Sequence, residues 1–228
     1  MSVLLEAVNI SRSFISGDSP CLALAPLSLV VEKGEFLVVT GRSGAGKSTL
    51  LHLLSGLDLP SQGEVFFKNR SLSRMNEMEI ARLRNSSFGF IFQTPHLLSD
   101  RTILENVAMP FSYGEPVAHG TVDKRCRELL AYAGLEELIH RFPGTLSGGE
   151  MQRVVFARAL VREPEIIFAD EPTGSLDGGN SRKIMELLAR QVDKGCTVVM
   201  VSHDREAGSF GTRTLHLEKV ESAEGVHF

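Results

Sequence analysis

Gly41-Arg42-Ser43-Gly44-Ala45-Gly46-Lys47-Ser48-Thr49 fits the pattern G-x-x-x-x-G-K-[ST], a phosphate-cradling P-loop. Phe36-Leu37-Val38-Val39-Thr40 before it is a short apolar, β-rich run and predicts a buried strand. Leu50, Leu51, Leu53 and Leu54 after it predict a buried helix that Gly56 can end. Strand, glycine loop and helix start together aim backbone N–H groups at an anion, and the helix dipole adds to the attraction. Lys47 is placed to reach the outer phosphates of a nucleotide, and the Ser48 hydroxyl to ligate Mg²⁺.

Downstream, Glu165-Ile166-Ile167-Phe168-Ala169-Asp170-Glu171 is a second apolar run, ending in two carboxylates. Such a run suits a parallel strand covered on both faces, and ligands of these sheets bind beyond the carboxyl ends. Asp170 can therefore hold Mg²⁺ and Glu171 can polarise an attacking water, although an Asp-Glu pair alone can equally be two solvated acids. Thr197-Val198-Val199-Met200-Val201-Ser202 is a third run, with His203 at its end. Leu146-Ser147-Gly148-Gly149-Glu150 opens a helix with capping-box spacing between Ser147 and Glu150. By itself that pentapeptide is either a well-capped helix or a second anion site, this one without a lysine.

The strands Val3–Val8, Leu27–Val31 and Glu64–Phe67, joined by turns such as Ser16-Gly17-Asp18-Ser19-Pro20, predict an antiparallel sheet beside a parallel one. Asn76–Arg84 predicts a short charged helix anchored by Ile80 and Leu83, and Phe88–Phe92 a strand closed by Gln93. Thr94–Glu150 has helical patterns and no clear strand, with a helix expected over Asp123–Ala133. A further helix is expected from about Asn180 to Lys194, buried through Ile184, Leu187, Leu188 and Val192. Thr214–Leu217 predicts a last strand, and the tail from Glu221 carries no readable role. The expected fold is thus an α/β P-loop NTPase: a mostly parallel core sheet, an antiparallel β-subdomain and an inserted α-helical subdomain. The whole chain, 1–228, forms one domain, with residues of about 94–162 as the helical part, signature helix included.

Composition narrows the function classes. The 228 residues carry 24 basic and 28 acidic side chains, a net charge of −4, and this gives no basic surplus for nucleic acid. Cys21, Cys126 and Cys196 are scattered and form no C-x-x-C pair, so neither a zinc site nor a disulfide framework is signalled. No run approaches 18 apolar residues, and Met1–Glu6 lacks the basic and apolar regions of a signal peptide. Any membrane role is expected to come through a separate partner.

Taken together these residues resemble an ATP-binding cassette of the ABC transporters, over about Leu4 to Leu217. Walker A is Gly41–Thr49, the Q-loop glutamine Gln93, the signature Leu146–Glu150 followed by Gln152, and Walker B Ile166–Asp170. Ser175-Leu176-Asp177 matches the D-loop, His203 the switch histidine, and Phe14 the aromatic that stacks on adenine. The resemblance implies that ATP is gripped by Gly41, Arg42, Ser43, Gly44, Ala45, Gly46, Lys47, Ser48, Thr49, Gln93 and Phe14. It gives Mg²⁺ to Ser48, Gln93 and Asp170, and catalysis to Glu171, His203 and Lys47. It places Ser147, Gly148, Gly149, Glu150 and Asp177 against the ATP of a second copy of the chain, in a homodimeric sandwich.

Phe90-Ile91-Phe92-Gln93, His96-Leu97-Leu98 and Leu104-Glu105-Asn106-Val107-Ala108-Met109-Pro110 are similar to the group containing the LolD, MacB and FtsE cassettes. That similarity implies a peripheral motor on the cytoplasmic face of a bacterial inner membrane, engaging FtsX-like or LolCE-like permease subunits through Gln93–Pro110. It implies lipoprotein release, with drug or peptide efflux, control of cell-wall hydrolases, or a soluble non-transport ATPase as alternatives. Ser175 in place of the group's usual asparagine, and Glu218-Lys219-Val220-Glu221 in place of an Asp-Gly hairpin, depart from the pattern.

Overall fold

Three apolar strands form the centre of the molecule: β3 (Phe36–Gly41), β7 (Ile166–Asp170) and β8 (Thr197–Val201). With β6 (Phe88–Phe92) and β9 (Arg213–Leu217) they make one parallel sheet in the order β6-β7-β8-β3-β9. The structure, a computed structural model, describes residues 2–16, 19–114, 116–204 and 206–218.

Successive residues of the central strands enter opposite cores. Phe36, Val38, Ile167, Ala169, Val198 and Met200 pack toward the helices on one side. Leu37, Val39, Ile166, Phe168, Val199 and Val201 pack toward the antiparallel sheet and the P-loop helix, α1 (Lys47–Leu54). Both faces are covered, so the period-two pattern of strands appears in the sequence as an unbroken apolar run.

The second sheet is antiparallel, built from β1 (Val3–Ser16), β2 (Ser19–Glu32), β4 (Gln62–Phe67) and the short β5 (Arg70–Ser71), in the order β2-β1-β4-β5. β1 and β2 are each several residues longer than the sequence suggests. Register shifts between Ala7 and Ser13, with Asn9 at φ +46°, break the alternation that would have announced the outer half. Ser19 and Pro20, expected in a turn, pair with Ser16 and Ile15. Gly17 and Asp18 of that turn, and the tail from Glu221, lie outside the described residues.

Between β6 and β7 the described residues hold α3 (Ile103–Ala108), α4 (His119–Tyr132), α5 (Gly148–Leu160) and short 3₁₀ turns. α4 begins four residues before the expected Asp123, because His119–Val122 offers little apolar periodicity to read. Cys126, Leu129, Leu130 and Ala133 form its buried face as expected. α2 (Glu77–Ser87) is capped by a reciprocal box between Asn76 and Glu79. α6 (Gly178–Asp193) buries Ile184, Leu187 and Leu188, but Val192 is only partly covered and Gln191 is buried beside it. Gln191 Nε2 finds Tyr132 Oη at 3.2 Å, which removes the cost of its burial.

One buried polar side chain organises the stretch after Gln93. Asn106 is fully buried on α3, accepts from Leu98 N–H at 2.7 Å and donates to the carbonyls of Leu98, Arg101 and Thr102. Thr102 and Glu105 cap the same helix with a reciprocal box. Loop and helix are thereby one unit, and Ile103 and Val107 of the helix anchor it in the core. Asn106→Leu leaves those backbone groups buried without partners and should cost about 2–4 kcal/mol. Thermal unfolding should show a melting temperature lower by roughly 5–15 °C; an unchanged value would show that the loop is held by other contacts.

Candidate functional site

The parallel ladder sets the site. Phe92 pairs with Asp170, Asp170 with Val201, and Val201 with Val39, so these four residues lie in one row across the sheet. Gln93, Glu171 and Ser202-His203 therefore leave the sheet at the same edge, and β3 runs on through Thr40-Gly41, paired with β9, before it enters the P-loop. This is the carboxyl edge at which open α/β sheets bind ligands.

At that edge the P-loop turns from β3 into α1. Gly46 caps α1 in the left-handed region at φ +86°, and a Cβ there would stand 2.4 Å from the Ala23 carbonyl oxygen on β2. Only glycine meets both demands. Among the described residues the N–H groups of Gly46, Lys47, Ser48 and Thr49 have no protein acceptor. They form an anion-binding concavity at a helix N-terminus. The Lys47 side chain folds back across the loop, with Nζ donating to Gly41 O at 3.0 Å and Arg42 O at 3.2 Å. Ser43, Gly44 and Ala45 complete the turn, and Ala45 N–H closes on Arg42 O.

Ser48 Oγ donates to Asp170 Oδ1 at 3.0 Å, which joins the P-loop to the end of β7. Burial pushes the Asp170 carboxyl above its ordinary range, against the lowering effect of the Ser48 bond. Two hard oxygens thus converge beside the phosphate concavity with few other partners, a donor set that fits a magnesium-type ion. Among the described residues no cluster of three or more His, Cys, Asp or Glu forms a metal cage. A magnesium ion of this chemistry needs none, since it takes one or two protein oxygens and completes its shell with phosphate and water. Gln93 sits on the same edge, with its side-chain amide packed close over Gly174.

Glu171 departs from the strand geometry expected for it. It adopts φ +47°, a conformation uncommon for a side chain of its size. Its N–H donates to Val201 O at 3.0 Å, and its Oε2 lies 2.7 Å from His203 Nδ1. A left-handed turn, rather than the strand pleat, separates the directions of Asp170 and Glu171.

The signature residues lie elsewhere on the chain. Ser147 caps α5 and shares a reciprocal box with Glu150, whose carboxylate accepts from Ser147 N–H at 2.8 Å and from Ser147 Oγ at 2.7 Å. The Ser147 backbone donor holds the Glu150 carboxyl below its ordinary range. Among the described residues the N–H groups of Gly148 and Gly149 have no protein acceptor, and no hydrogen bond joins Ser147–Glu150 to the P-loop. A Cβ on Gly149 would stand 2.4 Å from the Asn180 side chain, which fixes the packing of α5 on α6. Asp177 caps α6, accepting from Asn180 N–H at 2.9 Å and Nδ2 at 2.7 Å. The structure thus gathers Lys47, Ser48, Gln93, Asp170, Glu171 and His203 at one edge, and leaves Ser147, Gly148, Gly149, Glu150 and Asp177 as a separate group around Asn180.

Phe14 projects from β1 half-exposed, with the Arg12 guanidinium over its ring. Gln152, read only as a neighbour of the signature, is buried on α5 and donates to Phe92 O at 2.9 Å. Arg158, on the same helix, donates to Pro95 O and His96 O, both at 2.9 Å. α5 therefore holds both ends of the Gln93 turn. Beside this turn a groove of about 560 Å³ opens, lined by Phe90, Phe92, Met109 and Tyr113 together with Arg84, Arg158 and Arg162.

A P-loop at the carboxyl edge of a parallel sheet, facing an acid-ended strand, defines a nucleoside-triphosphate-binding protein of the P-loop class. The chain belongs to the ABC transporter family, whose model matches residues 24–174, and it is an ABC ATPase cassette. It is 41% identical over 224 residues to an uncharacterised ABC transporter ATP-binding protein of Methanocaldococcus jannaschii, covering 98% of this chain and all of that one. It is 44% identical over 218 residues to the lipoprotein-releasing system ATP-binding protein LolD of Psychrobacter arcticus, covering 95% and 96% of the two chains. The macrolide export protein MacB of Chlorobaculum tepidum is 40% identical over 215 residues, but the chain spans only 33% of its length. Among solved structures, the dimeric ABC transporter cassette MJ0796 superposes with a TM-score of 0.88 at 38% identity, over 95% of both chains. A post-hydrolysis dimer of MJ0796 with ADP and Pi also gives 0.88, at 37% identity, over 98% of this chain and 100% of that one.

Glu171→Gln keeps the shape and replaces a carboxylate that can accept a proton with an amide that cannot. Turnover of ATP should fall about 10²–10⁴-fold while ATP binding persists. Phosphate release measured beside equilibrium ATP binding checks this, and near-normal turnover would take Glu171 out of the chemistry.

Proposed function

We propose that the chain is the motor subunit of a bacterial inner-membrane transporter, in which two copies close around two ATP molecules. The observation that carries this reading is the division of donors into two groups. The P-loop edge supplies a lysine, acids and a concavity of free N–H groups. The start of α5 supplies two further free N–H groups but neither lysine nor acid-ended strand. The second group serves as half of a site, completed by the P-loop of another copy. The dimeric arrangement of MJ0796 supports the reading.

Within each site the P-loop amides and Lys47 neutralise the phosphates, once Lys47 exchanges its carbonyl partners for phosphate oxygens. Phe14 stacks on the base. Ser48, Asp170 and Gln93 would hold Mg²⁺, which would supply neutralisation of the phosphate charge. Glu171 orients and deprotonates the attacking water, and the reaction is in-line displacement at the γ-phosphate. His203 contacts that phosphate. With Nδ1–H given to Glu171, a neutral ring has no proton on Nε2 to offer, so the contact needs the imidazolium form or release of the Glu171 bond. Gly148 and Gly149 N–H groups, with Ser147, bind the γ-phosphate of the other copy; Glu150 and Asp177 act there by capping the two helices that meet at Asn180.

Chain 1–228 acts as one domain, in which residues of about 94–162 move with α5. The groove beside Gln93 receives a helix of an FtsX-like or LolCE-like permease, and its mixed lining of aromatic and arginine side chains fits an amphipathic helix bearing an acid. Among the described residues no helix is long and apolar enough to cross a membrane. The chain is placed on the cytoplasmic face through that partner. Lipoprotein release is the cargo reading favoured by the near-full-length match to LolD. The MacB matches keep macrolide export as the second reading.

Ser147→Arg tests the divided site. The variant should bind ATP as a monomer with unchanged affinity, yet fail to form the ATP-dependent dimer in a Glu171→Gln background, as followed by light scattering. A dimer that persists with ATP would refute the role given to the start of α5.

A further inference from the structure

The β1–β2 hairpin carries a side-chain stack that the phosphate chemistry does not require. Arg12 and Phe14 stand on either side of the last register shift in β1, and their side chains meet there. The guanidinium carbon of Arg12 stands 4.6 Å from the centroid of the Phe14 ring. Nη2 of the same guanidinium donates to Asp58 Oδ1 at 2.8 Å, and its Nε is buried with no hydrogen-bond partner. A guanidinium free to choose would turn Nε to water. The guanidinium is held instead between the Phe14 ring and the Asp58 carboxylate.

Asp58 is itself fixed. It follows α1 by four residues, its N–H donates to His52 O on α1 at 3.2 Å, and its Oδ1 also accepts from Leu59 N–H at 2.8 Å. Ser61 ties the same loop to β1, donating to Ser11 O at 2.8 Å and accepting from Ser13 N–H at 3.1 Å. On the next strand, Ala23 O lies against Gly46 of the P-loop, two residues from Cys21, the partner of Phe14 in the ladder. A continuous path therefore runs from the helix that receives the phosphates, through Asp58 and Arg12, to the aromatic ring. Phe14 is 45% exposed although one face is covered, so the free area lies on the opposite face and the edges.

We propose that Arg12 is a positioning residue for the nucleobase: clamped by Asp58, it backs the Phe14 ring and fixes the distance and tilt of the stacking face relative to the P-loop. The inference rests on the reading of Phe14 as the base platform. The cation holds one orientation of a ring that would otherwise turn freely, and this ordering precedes ATP binding instead of being taken from it. Asp58→Asn weakens the clamp without removing Arg12, and Arg12→Lys keeps the charge without the guanidinium.

A double-mutant cycle on the full chain tests this, with equilibrium ATP binding measured in a Glu171→Gln background. Arg12→Ala should raise the Kd for ATP about two- to fivefold, with Asp58→Asn and Arg12→Lys shifting it the same way. Phe14→Ala should raise it more, and Arg12→Ala should add nothing once Phe14 is gone. Full additivity, or no effect of Arg12→Ala in the Phe14 protein, would overturn the proposal while leaving the platform standing. An unchanged Kd in Phe14→Ala alone would remove the platform and the proposal with it.

Discussion

The structure depends on the register of four parallel strands. Because Phe92, Asp170, Val201 and Val39 lie in one row, the turns after them rise side by side from one sheet edge. A shift of one residue in any of these pairings would turn that strand's two core faces inside out, so the hydrophobic packing that fixes the register also fixes the chemistry. The geometry of this sheet edge is therefore a consequence of core packing. Phe168 on one side and Ile167 with Ala169 on the other hold Asp170 in place.

A second constraint links the P-loop edge to the start of α5. α5 begins at the signature cap, and the same helix carries Gln152 and Arg158, which bond to the backbone on either side of Gln93. Movement at its N-terminus must reach the Gln93 turn, because a buried amide and a two-pronged guanidinium cannot give up their carbonyls cheaply. The turn in turn borders the groove lined by Phe90 and Phe92. The orientation of α5 and the shape of the groove are thus joined by short-range hydrogen bonds. This gives the proposed motor a physical route from nucleotide to membrane partner.

The sequence announced these features unevenly. Unbroken apolar runs ending in Asp170-Glu171 and Ser202-His203 could be read directly, because strands buried on both faces leave no polar interruption. The P-loop was equally plain, since its glycines answer steric demands that act within a few residues. The outer half of β1 was missed because its bulges destroy the period of two. The left-handed Glu171 and the acceptor of Gln152 depend on contacts distant in sequence, with Val201 and Phe92, and no local pattern carries them. Asp177 was open to a better reading: Asp followed three residues later by a helical N–H is an N-cap spacing, and it would have started α6 at Gly178 rather than near Asn180.

The central claim is that each triphosphate is enclosed by two copies of the chain. The most direct measurement is a structure of the Glu171→Gln protein grown with ATP and magnesium. The account predicts a two-fold dimer in which the Gly148 and Gly149 N–H groups of one copy lie within hydrogen-bond distance of the γ-phosphate held by Lys47 of the other. A fully occupied P-loop whose γ-phosphate meets no signature residue of a second copy would contradict it.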